Sequence, residues 1–163
     1  MSDSDSGNPQ AKVYLCGPMT GREIDREWRT YAAAFLHRHG IGVLDPTAGV
    51  DNESIGNGGL EYEGKLAPID HALRDRGMVE NCDILLGHFP YLPTDRPSIG
   101  SLWECGWADA MGKAVIISSH LACVRDHLFC RAFAYHITEH IDEAMNRIVD
   151  LVKWNKQYDS KMG

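Results

Sequence analysis

Two acids and a tyrosine in this chain have the types and spacing to break a bond at a sugar carbon. Glu104 lies in the run SIGSLWECGWA (98–108), between the apolar runs 83–89 and 114–118. Near the start of a helix that follows a parallel strand, the backbone dipole favours a carboxylate over its neutral acid, and an ionised carboxylate is a good nucleophile. Asp75 lies eight residues before Asp83, on the helix leading into the third strand. A pair of this kind divides the work: one carboxylate forms a covalent sugar ester and the other supplies and removes a proton. Burial that raises one pKa and a dipole that lowers the other would separate the roles. Tyr14, inside the first strand, would hold the nucleophile in one rotamer. Each residue also has a plain structural reading. Ser101 with Glu104 spells a capping box, and spacing alone favours that reading. Asp75 reads as a solvated helix acid, and Tyr14 as a core tyrosine.

A second group suits an anion. Thr20, Gly21, Arg22 and Ser98 are hydroxyl, backbone and guanidinium donors at loops or helix starts, the donors a phosphate needs. Helix capping by Thr20 (with Glu23), Ser98 and Ser101 can coexist with that role. Gly100 lets a backbone or ligand come close. No metal is expected: His136 and His140 are four apart, but no HExxH and no cysteine or carboxylate pattern completes a site. The stretch 106–113 is one residue too long for a P-loop and lies within a helix, and there is no GxGxxG. No cofactor is implied.

Alternating elements must position these groups. Residues 12–17 form a short apolar run ending in Gly17 and Pro18, a buried strand. Trp28, Tyr31, Ala32, Phe35 and Leu36 recur at helical spacing, and Gly40 ends that helix. Residues 41–44 give a second strand. Residues 47–65 form a long aperiodic loop, a lid or a solvated insertion. A helix over 68–81 turns Ile69, Ala72, Leu73 and Val79 to the core. Strands follow at 83–89 and 114–118, separated by a helix that Gly112 ends. A weaker fifth strand lies within 132–137, and a last amphipathic helix begins at Ile141. The expected fold is α/β, a three-layer doubly wound parallel sheet of about five strands, flavodoxin- or Rossmann-like. The site then lies outside the carboxyl ends of the first and third strands. Residues 1–11 read as a disordered tail, 12–156 as one domain and 157–163 as a C-terminal tail.

Composition agrees with one folded domain: 163 residues, 44% hydrophobic and 24% charged. The net charge of −7 argues against a nucleic-acid polymer as partner. No run is apolar enough to span a membrane and the first residues do not form a signal peptide. The five cysteines, odd in number and without a CxxC pair, read as reduced thiols in a cytoplasmic protein.

Three segments in order carry a resemblance: VYLCGPM (13–19), Asp75 with Asn81, Cys82 and Asp83, and SIGSLWECGWA (98–108). Together they resemble the nucleoside 2-deoxyribosyltransferase family, including its branch that cleaves nucleoside 5′-monophosphates. The likeness spans most of residues 12–119. It implies that Glu104 is the nucleophile forming a glycosyl ester, that Asp75 is the acid/base near the leaving base, and that Tyr14 positions Glu104. It implies substrate contacts from Gly17, Pro18, Met19, Thr20, Arg22, Ser98, Gly100 and Ser101. It further implies a homodimer or higher oligomer with a pocket shared between subunits, to which Asp126 and His127 would contribute. The implied partners are a nucleoside or nucleotide and a free base. Family members that move deoxyribose between free bases usually carry Asp six residues before the nucleophile, where it holds the 5′ hydroxyl. Ser98 stands there instead and resembles the monophosphate branch, because Asp would repel a phosphate to which Ser donates. Residues 47–65 have no counterpart, so base preference stays open. The alternatives are a monophosphate N-glycosidase proper and a nucleotide-binding sensor without turnover. A phosphoribohydrolase of the lysine-decarboxylase-like kind lacks support, since its double glycine is absent before Gly100.

Overall fold

The computed structural model describes residues 9–49, 68–93 and 98–162. Five strands, β1 (Lys12–Cys16), β2 (Gly42–Leu44), β3 (Ile84–His88), β4 (Ala114–Ser118) and β5 (His136–Thr138), form one sheet in the order β2-β1-β3-β4-β5. All four pairings are parallel. The order reverses between β1 and β3, the switch point where sheets of this class open a crevice for ligands.

The helices are α1 (Glu23–Arg38), α2 (Pro68–Glu80), α3 (Ile99–Ala110), α4 (Ala122–Arg125), α5 (Leu128–Phe133) and α6 (Ile141–Met162). Strand alternation sends Val13 and Leu15 to one face of the sheet, where Trp28, Ala32 and Leu36 of α1 and Ala144, Met145 and Ile148 of α6 bury them. Tyr14 and Cys16 face the other way, with Leu85, Val115 and Ile117, under Val79 of α2 and Ala108 of α3. The three-layer doubly wound architecture is therefore as the residue pattern indicates. Gly40 and Gly112, at φ of 72° and 70°, follow the ends of α1 and α3.

Five local expectations are corrected. Along α2 only Val79 is buried, while Ile69 and Leu73 stay exposed and Ala72 is exposed too. Their helical spacing marks an apolar face, but the core ends below it. The fifth strand begins at His136, because Ala132 and Phe133 belong to α5. Arg22, not Thr20, occupies the N-cap of α1, without a side-chain capping bond. Helix α3 starts at Ile99, so Ser101 is its third residue and Glu104 its sixth, and neither can form the capping box their spacing spells. Ser98 holds the N-cap position, but its side chain makes no capping bond. The last helix runs on to Met162, past residue 156. Residues 1–8 and 50–67, and so most of the insertion, lie outside the described residues. Among the described residues no helix is long and apolar enough to cross a membrane.

Candidate active site

Helix α3 descends onto the carboxyl end of β1, and the first residues of its inner face are fastened there. The Ser101 hydroxyl donates to the Gly17 carbonyl at 3.1 Å, and the Cys16 thiol donates to the Ser101 carbonyl at 3.4 Å. One turn on, Glu104 is driven into the same place, 6% exposed. Burial pushes its carboxyl above the ordinary carboxylate range, and Asp75 adds to the rise; Cys16, Tyr14 and Arg29 oppose it. The helix dipole does not hold Glu104 low, contrary to expectation. Its influence fades beyond the first turn, where Glu104 no longer lies, and desolvation wins.

Tyr14 points from β1 toward both acids. Burial first, then the charges of Glu104, Asp75 and Cys16, push its phenol far above normal, so it stays protonated. Its hydroxyl acts on Glu104, yet it meets no acceptor in regular hydrogen-bond geometry among the described residues. A completely buried donor without a full partner is costly and stands ready for one. Asp75 is held by a fork from its neighbour: Arg74 Nε and Nη2 both donate to Oδ1, at 2.9 and 2.8 Å. Arg74 Nη2 also donates to the Pro46 carbonyl, tying α2 to the segment after β2. The structure thus brings Glu104, Asp75 and Tyr14 into mutual electrostatic reach, from α3, α2 and β1.

Behind this group lies a residue that the spacing argument passed over. Arg29 is 2% exposed, inside the apolar stripe of α1. It donates to the carbonyls of Gly17, Pro18 and Asp25 at 3.1, 3.1 and 3.0 Å, and its Nε lies 3.4 Å from Asp45. A buried guanidinium is tolerable only with such partners. Its effect is to fix the loop of Gly17 and Pro18. Gly17 must be glycine, since a Cβ would fall 2.4 Å from the His88 carbonyl. Met19 is exposed at the loop tip. Thr20 is pinned rather than free: its amide and hydroxyl both donate to Asp25 Oδ2 at 2.8 Å, while the Tyr91 hydroxyl donates to Oδ1. Asp25, two residues beyond Glu23, takes the place expected of that acid. Arg22 is exposed, with its guanidinium over the Tyr91 ring.

Of the remaining expected residues, Ser98 has a buried hydroxyl that lacks a partner among the described residues. A Cβ at Gly100 would meet no described atom, so packing within the chain does not require glycine there. Asp126 and His127 are exposed beyond β4. His127 Nδ1 accepts from the Phe129 amide and the ring borders an apolar cavity of about 480 Å³ shared with Phe89, Cys105 and Phe129. Neither Asp126 nor His127 bonds to Glu104 or Asp75 among the described residues. No three His, Cys, Asp or Glu side chains gather in a metal-binding group among the described residues.

His88, also unforeseen, ends β3 beside the site. Burial pulls its imidazole down to about 4, and Arg29 and His120 act in the same direction, against a counter-effect from Ser118. Between pH 6.5 and 4 the unfolded chain therefore binds a proton that the folded chain refuses. The stability held by the neutral ring is complete above pH 6.5 and is lost as pH falls toward 4. Thermal melts at pH 7 and pH 4.5 should show a steeper loss of Tm for the wild type than for His88→Gln; parallel losses would refute the assignment.

The fold is α/β, an all-parallel five-stranded sheet between helices, with two carboxylates and a tyrosine gathered at its switch point. The chain belongs to the nucleoside 2-deoxyribosyltransferase family, whose model matches residues 13–147. Members of that family act on N-glycosidic bonds. Among solved structures, the chain is similar to the 2-deoxyribosyltransferase of the psychrotolerant bacterium Bacillus psychrosaccharolyticus, with 22% identity, a TM-score of 0.63, and coverage of 83% of this chain and 91% of that one. It is also similar to a 2-desoxiribosyltransferase from Leishmania mexicana, with 17% identity and a TM-score of 0.52. That match covers 68% of this chain and 65% of the Leishmania protein, so this chain spans just under two thirds of its length. A CMP N-glycosidase of Clostridium botulinum follows at 20% identity, a TM-score of 0.48, and coverage of 86% and 98%. No curated protein matches the chain.

Proposed function

We propose that the protein cleaves the N-glycosidic bond of a (deoxy)nucleoside or its 5′-monophosphate through a covalent glycosyl–Glu104 ester. What carries the reading is that Asp75 of α2 lies close enough to act on Glu104 of α3, and both act on Tyr14, at the sheet's switch point. The Glu104 carboxylate attacks the anomeric carbon while the carbon–nitrogen bond breaks. Asp75 delivers a proton to the departing base. In the second step Asp75 takes a proton from a second base or water, which attacks the same carbon and returns Glu104 as carboxylate. Residues 17–20, fixed by Arg29 and Asp25, form the substrate loop with Arg22, Gly100 and Ser101. No cofactor takes part.

The monophosphate N-glycosidase reading is favoured by one feature. The buried Ser98 hydroxyl, at the start of α3, has no bond of its own among the described residues and is free to donate to a 5′ phosphate. Deoxynucleosides and deoxynucleoside monophosphates, each with and without a second base, separate the readings by chromatography of the bases. Base release from monophosphates is expected, and Ser98→Asp should lower kcat/KM for them by about tenfold or more through charge repulsion while sparing nucleosides. Exchange only when an acceptor base is present supports the transferase, binding without turnover supports a sensor, and indifference to Ser98→Asp removes the phosphate assignment.

The proposal includes a homodimer or larger assembly. Ile69 and Leu73 of α2, Ile99, Leu102 and Trp103 of α3, and Phe129 of α5 are all more than half exposed. Single exposed apolar residues need no explanation, but a set on helices that cover one face of the sheet fits a subunit contact. Asp126 and His127 would reach a neighbour's pocket from there. The five free cysteines fit a reducing, cytoplasmic setting.

A further inference from the structure

Tyr14 and Cys16 are two residues apart on β1, so both side chains leave the same face of the sheet, beneath α3. Ser101, Glu104 and Cys105 stand at i, i+3 and i+4 on α3 and share one side of that helix. Cys16 touches both ends of this triplet. Its thiol donates to the Ser101 carbonyl at 3.4 Å, and its sulfur lies 3.9 Å from that of Cys105. It has no exposed surface. Glu104 therefore sits between two points at which α3 is anchored to one buried thiol. A thiol carries one proton. The Ser101 carbonyl takes it in the structure, and an ionised carboxylate is the stronger acceptor.

We propose that Cys16 is a positioning residue for Glu104, its thiol turning from the Ser101 carbonyl to the ionised carboxylate and holding it in the orientation that meets the sugar. The inference rests on Glu104 being the nucleophile. The groups that face Glu104 are Asp75 from α2, Tyr14 and Cys16 from β1, and Arg29 from α1, with Cys105 beyond Cys16 on its own helix. Asp75 opposes ionisation of Glu104, and Cys16, Tyr14 and Arg29 favour it. Among the three supporters, Cys16 is the one that also meets α3 on either side of Glu104, at Ser101 and at Cys105.

The test compares wild type with C16A, C16V and C16S. C16A removes the donor, C16V removes it while filling the volume, and C16S restores a donor. The Glu104 carboxyl titration is followed by carbon-13 NMR of glutamate-labelled protein and assigned with E104Q. In C16A and C16V the midpoint should rise by about one pH unit, the acid limb of kcat/KM should move with it, and kcat should fall about tenfold with KM unchanged. C16S should titrate and turn over near wild type. Titrations of C16A and C16V that overlay the wild type would overturn the proposal. So would C16S moving as far as C16A, since the effect would then be packing. If the wild type releases no base, the functional reading fails by itself, while the NMR titration still decides the contact.

Discussion

Glu104→Gln should lower kcat by at least about a thousandfold, the scale on which removing a covalent nucleophile acts, while the protein stays folded. The same substitution should leave Tm unchanged or raise it by a few degrees. The reason is the sign of the burial effect. Desolvation raises the Glu104 carboxyl above its unfolded value. Above the ordinary carboxylate range the folded chain therefore bears a penalty for ionising Glu104, and the penalty shrinks as pH falls. Glutamine keeps the shape and removes the charge. Thermal melts at pH 7, beside steady-state rates, read both effects. A Glu104 that served only to tie down a helix start would give the reverse pattern, with activity retained and stability lost.

Asp75→Asn is the second large effect. Its proton reaches the leaving base only from a fixed carboxyl, and Arg74 fixes it by the two bonds to Oδ1. Loss of general acid help should cost about a hundredfold in kcat. Bases that leave easily need less help, so the loss should shrink for substrates with more acidic bases. A uniform loss across bases would assign Asp75 to binding instead. Circular dichroism should show no change of fold, since Asp75 is not part of either buried apolar cluster.

Much of this was legible in the sequence because the relevant signals are local. Apolar runs that alternate with helical stripes yield a parallel sheet, and the ordered segments around Tyr14, Asp75 and Glu104 put the acids at its carboxyl edge. What escaped depends on long-range packing. Arg29 sits among Trp28, Ala32 and Leu36, where a charge on a buried stripe is the only hint. The loop carbonyls that satisfy it come from residues 17 and 18, and no spacing rule connects them. Asp25 displaced Glu23 because the loop bends back onto the third residue of α1, where the Thr20 amide and hydroxyl reach its carboxylate. The capping box at Ser101 and Glu104 misled because α3 begins at Ile99, three residues earlier than the motif needs. Cys16 was visible as the second residue on from Tyr14, yet a thiol in a strand reads as core until the helix above it is placed. Ile69 and Leu73 have the spacing of core residues and remain exposed, since a single chain does not show what covers an apolar face.

The account depends on a sugar bound covalently to one side chain. Rapid acid quench of the enzyme with a deoxynucleoside monophosphate during turnover, then proteolysis and peptide mass spectrometry, reads that bond directly. The peptide carrying Glu104 should gain the mass of the glycosyl group and lose it when the reaction runs out. Base release with no adduct at Glu104, or with the adduct on another residue, would contradict the account.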